Sequence, residues 1–192
     1  TAWLLRAGVP GWPLIPAPVR IVLGVLALWL AWLAVVQARI LGINFLLSVL
    51  TLVWVADIFA YFAGRAFGLR FTRNKLAPSI SPGKSWEGVW GGLAGVWCLA
   101  LAWVVADRYF QADVASFYTR LYSAGWWFLA IAVVFMVAMS VAGDLVESLI
   151  KRSAGVKDSS GLLPGHGGVL DRVDALLPTL PLALMLTRLI SV

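Results

Sequence analysis

The sequence is poor in charge and has a single histidine and a single cysteine. Only 12% of its 192 residues are charged, whereas 61% are hydrophobic and the mean hydropathy is +0.91. An ordinary soluble domain has about twice that share of charged residues, so this class is excluded for most of the chain. The lone Cys98 excludes an internal disulfide. No repeat of 20 to 50 residues is present.

Five apolar stretches are long enough to cross a membrane, at residues 20–36, 43–65, 86–106, 126–148 and 175–191. Backbone groups in hydrocarbon must pair within their own segment, and the stretches are far longer than barrel strands, so they are predicted to be helices. We therefore expect an all-α fold, a polytopic helical integral membrane protein with about five transmembrane helices. A single membrane-embedded domain would cover 1–192, with an interfacial lead-in at 1–19 and the helical bundle at 20–192. Because Pro178 and Pro181 interrupt the last stretch, a buried helix of a soluble domain is the alternative there.

The basic residues are unevenly distributed among the loops. Residues 65–85 hold five basic side chains and no acidic one, and residues 151–174 hold four basic ones, whereas in residues 107–125 acids balance bases. The positive-inside rule therefore predicts that the first two loops are cytoplasmic and the third lies outside. The net charge of +6 mostly reflects this asymmetry, so no nucleic-acid partner is expected.

Three acidic residues within the apolar stretches are of particular interest, because a charge in the membrane costs about 2.5–3.5 kcal/mol on insertion scales. They are Asp57, Asp144 and Glu147. Such residues face a polar cavity, pair with cations or bind metal. For Asp57, a structural pair with an arginine of another helix is the alternative.

Asp144 begins a polar stripe that leads into a glycine-rich loop. On a helix Asp144, Glu147 and Ser148 share one face, and Lys151 and Arg152 extend it toward the loop. Mg²⁺ prefers oxygen ligands, usually one or two carboxylates together with phosphate. Asp144 and Asp171 are the best candidates to flank such an ion. Each of these residues, taken alone, has a simpler explanation. The basic side chains could reach the lipid headgroups, His166 could be a solvated loop residue, and the glycines could form turns.

The segment KLAPSISPGKSWEGVWGG forms a second polar feature. Ser81 followed by Pro82 predicts a helix N-cap, and the first-turn amides with Lys84 and Ser85 would bind an anion. A P-loop is excluded, since that motif needs glycine where Pro78 stands and no parallel sheet is predicted. A capped helix that enters the membrane without binding anything is the alternative.

Residues 148–174, SLIKRSAGVKDSSGLLPGHGGVLDRVD, closely resemble the signature of the phosphatidate cytidylyltransferase (CDP-diacylglycerol synthase) family. The fixed positions of that signature are all present: Ser148, Lys151, Arg152, Lys157, Asp158, Pro164, His166, Gly167, Gly168, Asp171, Arg172 and Asp174. The segments ADIFAYFAGRAFG, LAPSISPGKSWEG and GDLVES are also similar to family segments. The resemblance covers about residues 43–190. The several spans that usually form the N-terminal part of the family have no counterpart, so we expect the chain to be part of a longer protein.

The resemblance implies transfer of a cytidylyl group from CTP to phosphatidate with Mg²⁺, at the cytoplasmic face of a bacterial inner membrane. It implies that Asp144 and Asp171 bind the metal and that Lys151, Arg152 and His166 belong to the catalytic group. We assign His166 to phosphate binding or loop ordering rather than proton transfer. The expected substrate-binding residues are Asp57, Ser81, Lys84, Ser85, Lys157, Asp158, Gly167, Gly168, Arg172 and Asp174.

The loop at 161–174 is expected to fold back over the mouth of the cavity and bring Asp171 close to Asp144. Eleven tryptophans in a small chain leave much apolar surface to cover, so a homodimer is expected. Two other functions stay open at this point. One is a different CTP-dependent lipid enzyme, such as a polyprenol kinase or an archaeal CDP-lipid synthase. The other is a transporter or channel that uses the intramembrane acids, although no related halves are present in the sequence.

Overall fold

The computed structural model describes residues 8–162 and 167–190. A short 3-10 helix at Val9–Leu14 precedes helices α1 (Ala17–Leu41) and α2 (Ile43–Phe67). Strands β1 (Lys75–Ala77) and β2 (Ser81–Ser85) form an antiparallel hairpin between α2 and α3 (Trp86–Tyr109). The remaining helices are α4 (Phe117–Ser123), α5 (Trp126–Ser153), α6 (Leu170–Val173) and α7 (Leu176–Ile190).

The five predicted membrane helices are present. Helices α1, α2, α3 and α5 and the segment Leu170–Ile190 are each long and apolar enough to cross a membrane. Pro178 lies in the first turn of α7, where a missing N–H costs no intrahelical bond, and only Pro181 lies further inside. The all-α prediction is therefore confirmed, and the small hairpin is an addition to it. The chain is an integral helical membrane protein.

Glycines allow α2 and α3 to pack with their backbones in contact. A Cβ atom added at Gly92 would lie 2.8 Å from the carbonyl oxygen of Ala56, and one at Gly88 would lie 3.0 Å from that of Ala60. Close approach of small residues is a common way for helices to associate in membranes. The contact between α2 and α3 is the most extensive in the bundle, and it fixes the turn of α2 that carries Asp57 against the start of α3.

The buried core lies between α2, α3, α4, α5 and α7. Its largest members include Phe45, Leu52, Tyr118, Leu129 and Met136, all nearly inaccessible. By contrast, α1 exposes most of its length, with large side chains such as Trp29 and Trp32 pointing outward. An exposed apolar surface of this kind is expected where lipid or another membrane helix covers the protein.

The bundle has two polar ends of different character. The hairpin end holds the hairpin, the C-terminal ends of α2 and α5 and the N-terminal ends of α3 and α7. At the opposite end, Asn44 donates to Asp107 Oδ1 at 2.8 Å and to the carbonyl of Val114 at 2.7 Å, and Trp103 donates to Asn44 at 2.9 Å. Asp107 also accepts the Thr119 hydroxyl at 2.6 Å. This network joins the start of α2, the end of α3 and the short α4.

Candidate functional site

A cavity of about 410 Å³ opens at the hairpin end. Its inner wall is apolar and comes from α2, α3 and α5, with small side chains such as Ala56, Ala60 and Val141. Polar side chains lie on the rest of its lining: Asp57, Tyr61, Arg65, Lys84, Ser85 and Asp144. The two basic loops that were predicted to share one side of the membrane both adjoin this end. The cavity therefore joins an apolar wall to a charged mouth.

The hairpin is held in place by burial of Ile80. This side chain is 2% exposed and packs with Leu145 and Leu149 on α5. The N–H of Ile80 donates to the carbonyl of Ala77 at 3.2 Å, which closes the turn between the strands. The second strand then runs along the cavity and brings Lys84 to its lining.

The prediction that Ser81 caps a helix is wrong. Ser81 pairs with Ala77 in the hairpin, and α3 begins only at Trp86, where the Ser85 hydroxyl accepts the N–H of Gly88 at 3.2 Å. The fixed φ of Pro82 suits an extended strand as well as a first helical turn, so the Ser-Pro pair alone does not distinguish the two. Ser85 is thus a cap, and its hydroxyl is occupied by that role.

Lys84 lies among carboxylates that come from α2, from α5 and from the turn between α6 and α7. It forms an ion pair with Asp144, whose other oxygen accepts the Ser148 hydroxyl at 3.2 Å. Asp57 lies within electrostatic range of both Lys84 and Asp144. Asp174 lies within range of the same lysine and of both other acids. Among the described residues no ion pair joins Asp57 to an arginine, and the cation within its electrostatic range is Lys84. We call Asp57, Asp144 and Asp174, with Lys84, the acidic cluster.

Close packing brings Asp174 to this cluster. A Cβ atom added at Gly143 would lie 2.8 Å from Pro178 and 3.1 Å from the carbonyl oxygen of Asp174. Only a glycine beside Asp144 allows the start of α7 to approach α5 so closely. The Asp174 carboxylate accepts the N–H of Ala175 at 2.7 Å.

Asp171 has a different environment and does not line the cavity. It accepts the ammonium of Lys151 at 2.6 Å, the N–H of Ser159 at 2.9 Å and the N–H of Gly168 at 2.6 Å. Lys151 also pairs with the buried Glu147. Gly167, with φ of 79°, takes a left-handed conformation that favours glycine. The described part of the loop thus packs against the end of α5 through Asp171. Asp171 is not among the residues that line the cavity with Asp144, so the expected placement of the two carboxylates in one pocket is not found.

The other predicted site residues lie around this loop. The side chains of Arg152, Lys157, Asp158 and Arg172 are exposed, whereas Gly168 is buried. His166 lies outside the described residues. Within the ranges that the structure describes, no three acidic, histidine or cysteine side chains are close enough to hold one metal ion.

Three site residues were missed by sequence reasoning. Arg65 and Tyr61 line the cavity from α2, and the guanidinium of Arg65 donates to the Tyr61 hydroxyl at 2.9 Å. Tyr61 follows Asp57 by four residues and Arg65 by eight, and this spacing predicts that all three side chains share one face of the helix. Glu87 is buried at the start of α3 and accepts the N–H groups of Phe71 and Thr72 at 3.1 and 2.7 Å. It ties the loop after α2 to α3.

Comparisons with known proteins all identify cytidylyltransferases as similar to this chain. A model of the cytidylyltransferase family matches residues 14–190. A phosphatidate cytidylyltransferase of Haemophilus influenzae is 50% identical over 147 residues, 73% of this chain and 44% of that protein. A phosphatidate cytidylyltransferase of Pseudomonas aeruginosa is 46% identical over 164 residues, which are 84% of this chain and 55% of that protein. One of Thermotoga maritima is 41% identical over 146 residues, which are 76% of this chain and 49% of that protein. The chain spans about half the length of the curated relatives it matches.

Proposed function

The chain belongs to the cytidylyltransferase family, and on that premise we propose that it transfers the cytidylyl group of CTP to phosphatidate. The products would be CDP-diacylglycerol and pyrophosphate. The observation that carries this proposal is the cavity at the hairpin end, which joins an apolar wall to the Lys84–Asp144 pair. One substrate is a lipid and the other a soluble nucleotide, so the site must admit both from the bilayer and from water.

The reaction needs positioning and charge neutralisation more than it needs a base. A phosphate monoester has a second pKa of about 6, so the lipid phosphate is largely a dianion at neutral pH. One of its oxygens attacks the α-phosphorus of CTP, the new P–O bond forms, and the bond to the pyrophosphate oxygen breaks. Two anions must approach each other, so cationic side chains lower the barrier by electrostatics. Lys84, Lys151 and Arg152 are the residues proposed to contact substrate phosphates.

The carboxylates of the acidic cluster offer oxygen ligands of the kind that Mg²⁺ prefers. No three of the described acids converge on one point, but one or two carboxylates beside substrate phosphates are the usual protein ligands of this ion. When bound, the ion would neutralise phosphate charge at the reacting centre. Asp144 is proposed as one ligand. Asp171 is the second proposed ligand on family resemblance, although its oxygens contact Lys151 and the loop amides, whereas Asp174 belongs to the acidic cluster itself.

The proposal extends to membrane orientation and assembly. The basic loops at the hairpin end favour a cytoplasmic position of the cavity in a bacterial inner membrane, where CTP is available. The exposed apolar face of α1 favours contact with lipid or with a second copy, and a homodimer is the proposed assembly.

The experiment is pyrophosphate release from the purified full chain given CTP, phosphatidate and Mg²⁺. We expect release that depends on all three, with CDP-diacylglycerol as the lipid product. Formation of CDP and a newly phosphorylated lipid would identify a kinase instead. Absence of any CTP-dependent product, with ion flux in proteoliposomes, would favour a transporter.

A further inference from the structure

One face of α2 carries polar residues from the centre of the cavity to its rim. Asp57, Tyr61 and Arg65 follow one another at intervals of four residues, and all three line the cavity. At roughly 1.5 Å per residue, Arg65 lies about 12 Å further along the helix axis than Asp57. The acidic cluster is at one end of this face and a cation is at the other.

The charges of the site are unevenly compensated. Lys84 pairs with Asp144, and Lys151 pairs with both Glu147 and Asp171. Among the described residues, no carboxylate lies within ion-pair distance of Arg65, and its guanidinium hydrogen bond is to the neutral Tyr61 hydroxyl. Arg65 therefore has donors left for an anionic ligand. A planar guanidinium matches two phosphate oxygens at once.

The position of Arg65 favours a lipid phosphate over a nucleotide phosphate. Arg65 lies in the last turn of a membrane-spanning helix, the level at which headgroups meet hydrocarbon. Tyr61 is 59% exposed and its neighbour Phe62 64%, so this side of the cavity faces the acyl chains. Lys151 and Arg152 lie in the last turn of the longer helix α5, beside the loop that follows it.

We propose that Arg65 and Tyr61 form the subsite that binds the phosphate monoester of the lipid substrate. This rests on the proposed function and deepens it, since it assigns the lipid to the α2 side of the cavity. The Tyr61 hydroxyl oxygen accepts from the guanidinium and so orients it, and the hydroxyl O–H donates a hydrogen bond to the phosphate. The bound phosphate then lies between Arg65 and the acidic cluster, toward which its nucleophilic oxygen must point.

The test is steady-state kinetics of the full chain in mixed micelles, with phosphatidate and CTP varied separately. Arg65→Ala should raise KM for phosphatidate about tenfold or more, as expected for loss of a charge-assisted contact, and leave KM for CTP nearly unchanged. Arg65→Lys should have an intermediate effect, because the charge stays and the planar fork is lost. Tyr61→Phe should raise the same KM several-fold, and it provides the test if Arg65→Ala does not fold. Arg73→Ala removes an exposed arginine from the loop that follows α2 and is the matched control for the loss of charge. Tyr109→Phe removes the hydroxyl of an exposed tyrosine and is the control for Tyr61→Phe.

A binding measurement separates this subsite from the reaction. Short-chain phosphatidate and the diacylglycerol of equal chain length are titrated without CTP. Arg65→Ala should weaken binding of phosphatidate about tenfold and leave that of diacylglycerol unchanged. A rise of KM for CTP instead, or equal effects of Arg65→Ala and Arg73→Ala, would overturn the subsite. If wild type released no pyrophosphate, the proposed function would fail, yet selective loss of phosphatidate binding in Arg65→Ala would still support the subsite.

Discussion

Lys84 and Asp144 are sixty positions apart in the sequence and form an ion pair in the lining of the cavity. One residue is carried by a short hairpin and the other by a membrane helix. The pair therefore depends on how the hairpin packs, through Ile80, against α5. This makes the hairpin part of the site although it contributes few residues to the fold.

Asp144→Asn should nearly abolish turnover, by about 100-fold or more, while the protein still folds in detergent. The amide keeps the shape of the side chain but loses the charge that pairs with Lys84 and is proposed to hold Mg²⁺. Pyrophosphate release at saturating Mg²⁺ measures the effect. Asp113→Asn, in the exposed loop at the opposite end, is the control and should keep full activity. Substantial activity in Asp144→Asn would remove this carboxylate from the mechanism.

Lys84→Met should lower the free energy of unfolding by about 1–2 kcal/mol. Three carboxylates then remain without their lysine, and the effect is smaller than for a fully buried pair because 27–28% of each side chain is exposed. The double variant with Asp144→Asn should recover part of that stability. Denaturant unfolding in detergent micelles measures both, with Lys75→Met on the same hairpin as control. Strictly additive effects of the two changes would argue against coupling.

Gly92→Ala should destabilise the protein by about 1–3 kcal/mol, because its Cβ would lie 2.8 Å from the carbonyl oxygen of Ala56. We also expect lower activity, since the shift of α2 moves Asp57. Gly24→Ala is the matched control, as no atom lies within 4 Å of a Cβ there. That variant should be neutral or slightly more stable, because alanine favours a helix. Thermal unfolding and turnover would be measured together, and equal behaviour of the two variants would contradict the packing described.

Asn44→Ala should lower the free energy of unfolding by about 1–3 kcal/mol and leave both KM values unchanged. The substitution deprives Asp107 and Trp103 of a hydrogen-bond partner at the end of the bundle opposite to the cavity. Thr51→Val is the control, since the Thr51 hydroxyl donates to the carbonyls of Leu47 and Ser48 in its own helix. A changed KM in Asn44→Ala would show that the two ends are coupled.

Asp171→Asn should expose the loop after α5 to protease. The carboxylate accepts the N–H groups of Ser159 and Gly168, and a neutral amide holds them and Lys151 more weakly. Trypsin cleavage after Lys157 should become about 10-fold faster, which corresponds to roughly 1.4 kcal/mol of loop anchoring. Asp174→Asn, on the next turn of the chain, should not change cleavage. Unaltered cleavage with lost turnover would assign Asp171 to metal or substrate binding rather than to loop anchoring.

The helices could be predicted from the sequence because hydropathy is a local property. Each span is long enough to be recognised without knowledge of its neighbours. The hairpin could not be predicted, since residues 75–85 lack alternation and contain Pro82 and Gly83. It depends on burial of Ile80 against Leu145 and Leu149, which are distant in the sequence. Tertiary packing rather than local preference decides such a segment.

The candidate site, like the fold, could be predicted only in part. Asp144, Lys84 and Lys151 could be found because polar residues are conspicuous in apolar stretches and loops. Their pairing could not be predicted, and the exchange of environments between Asp171 and Asp174 could not either. These two aspartates are three positions apart, yet one binds the loop and the other joins the acidic cluster. Which one joins the acidic cluster depends on how closely the start of α7 approaches Gly143.

Helix α5 has 28 residues and is therefore about 42 Å long, at roughly 1.5 Å per residue, whereas the hydrocarbon core of a bilayer is about 30 Å thick. Trp126, at its start, is an anchor for the interface at the opposite end, and Asp144 lies about 27 Å along the axis from it. The carboxylate is thus close to the boundary of the hydrocarbon. A bilayer a few ångströms thicker would draw the Lys84–Asp144 pair into acyl chains, and a thinner one would place it among headgroups. Membrane thickness therefore sets the dielectric environment of this ion pair.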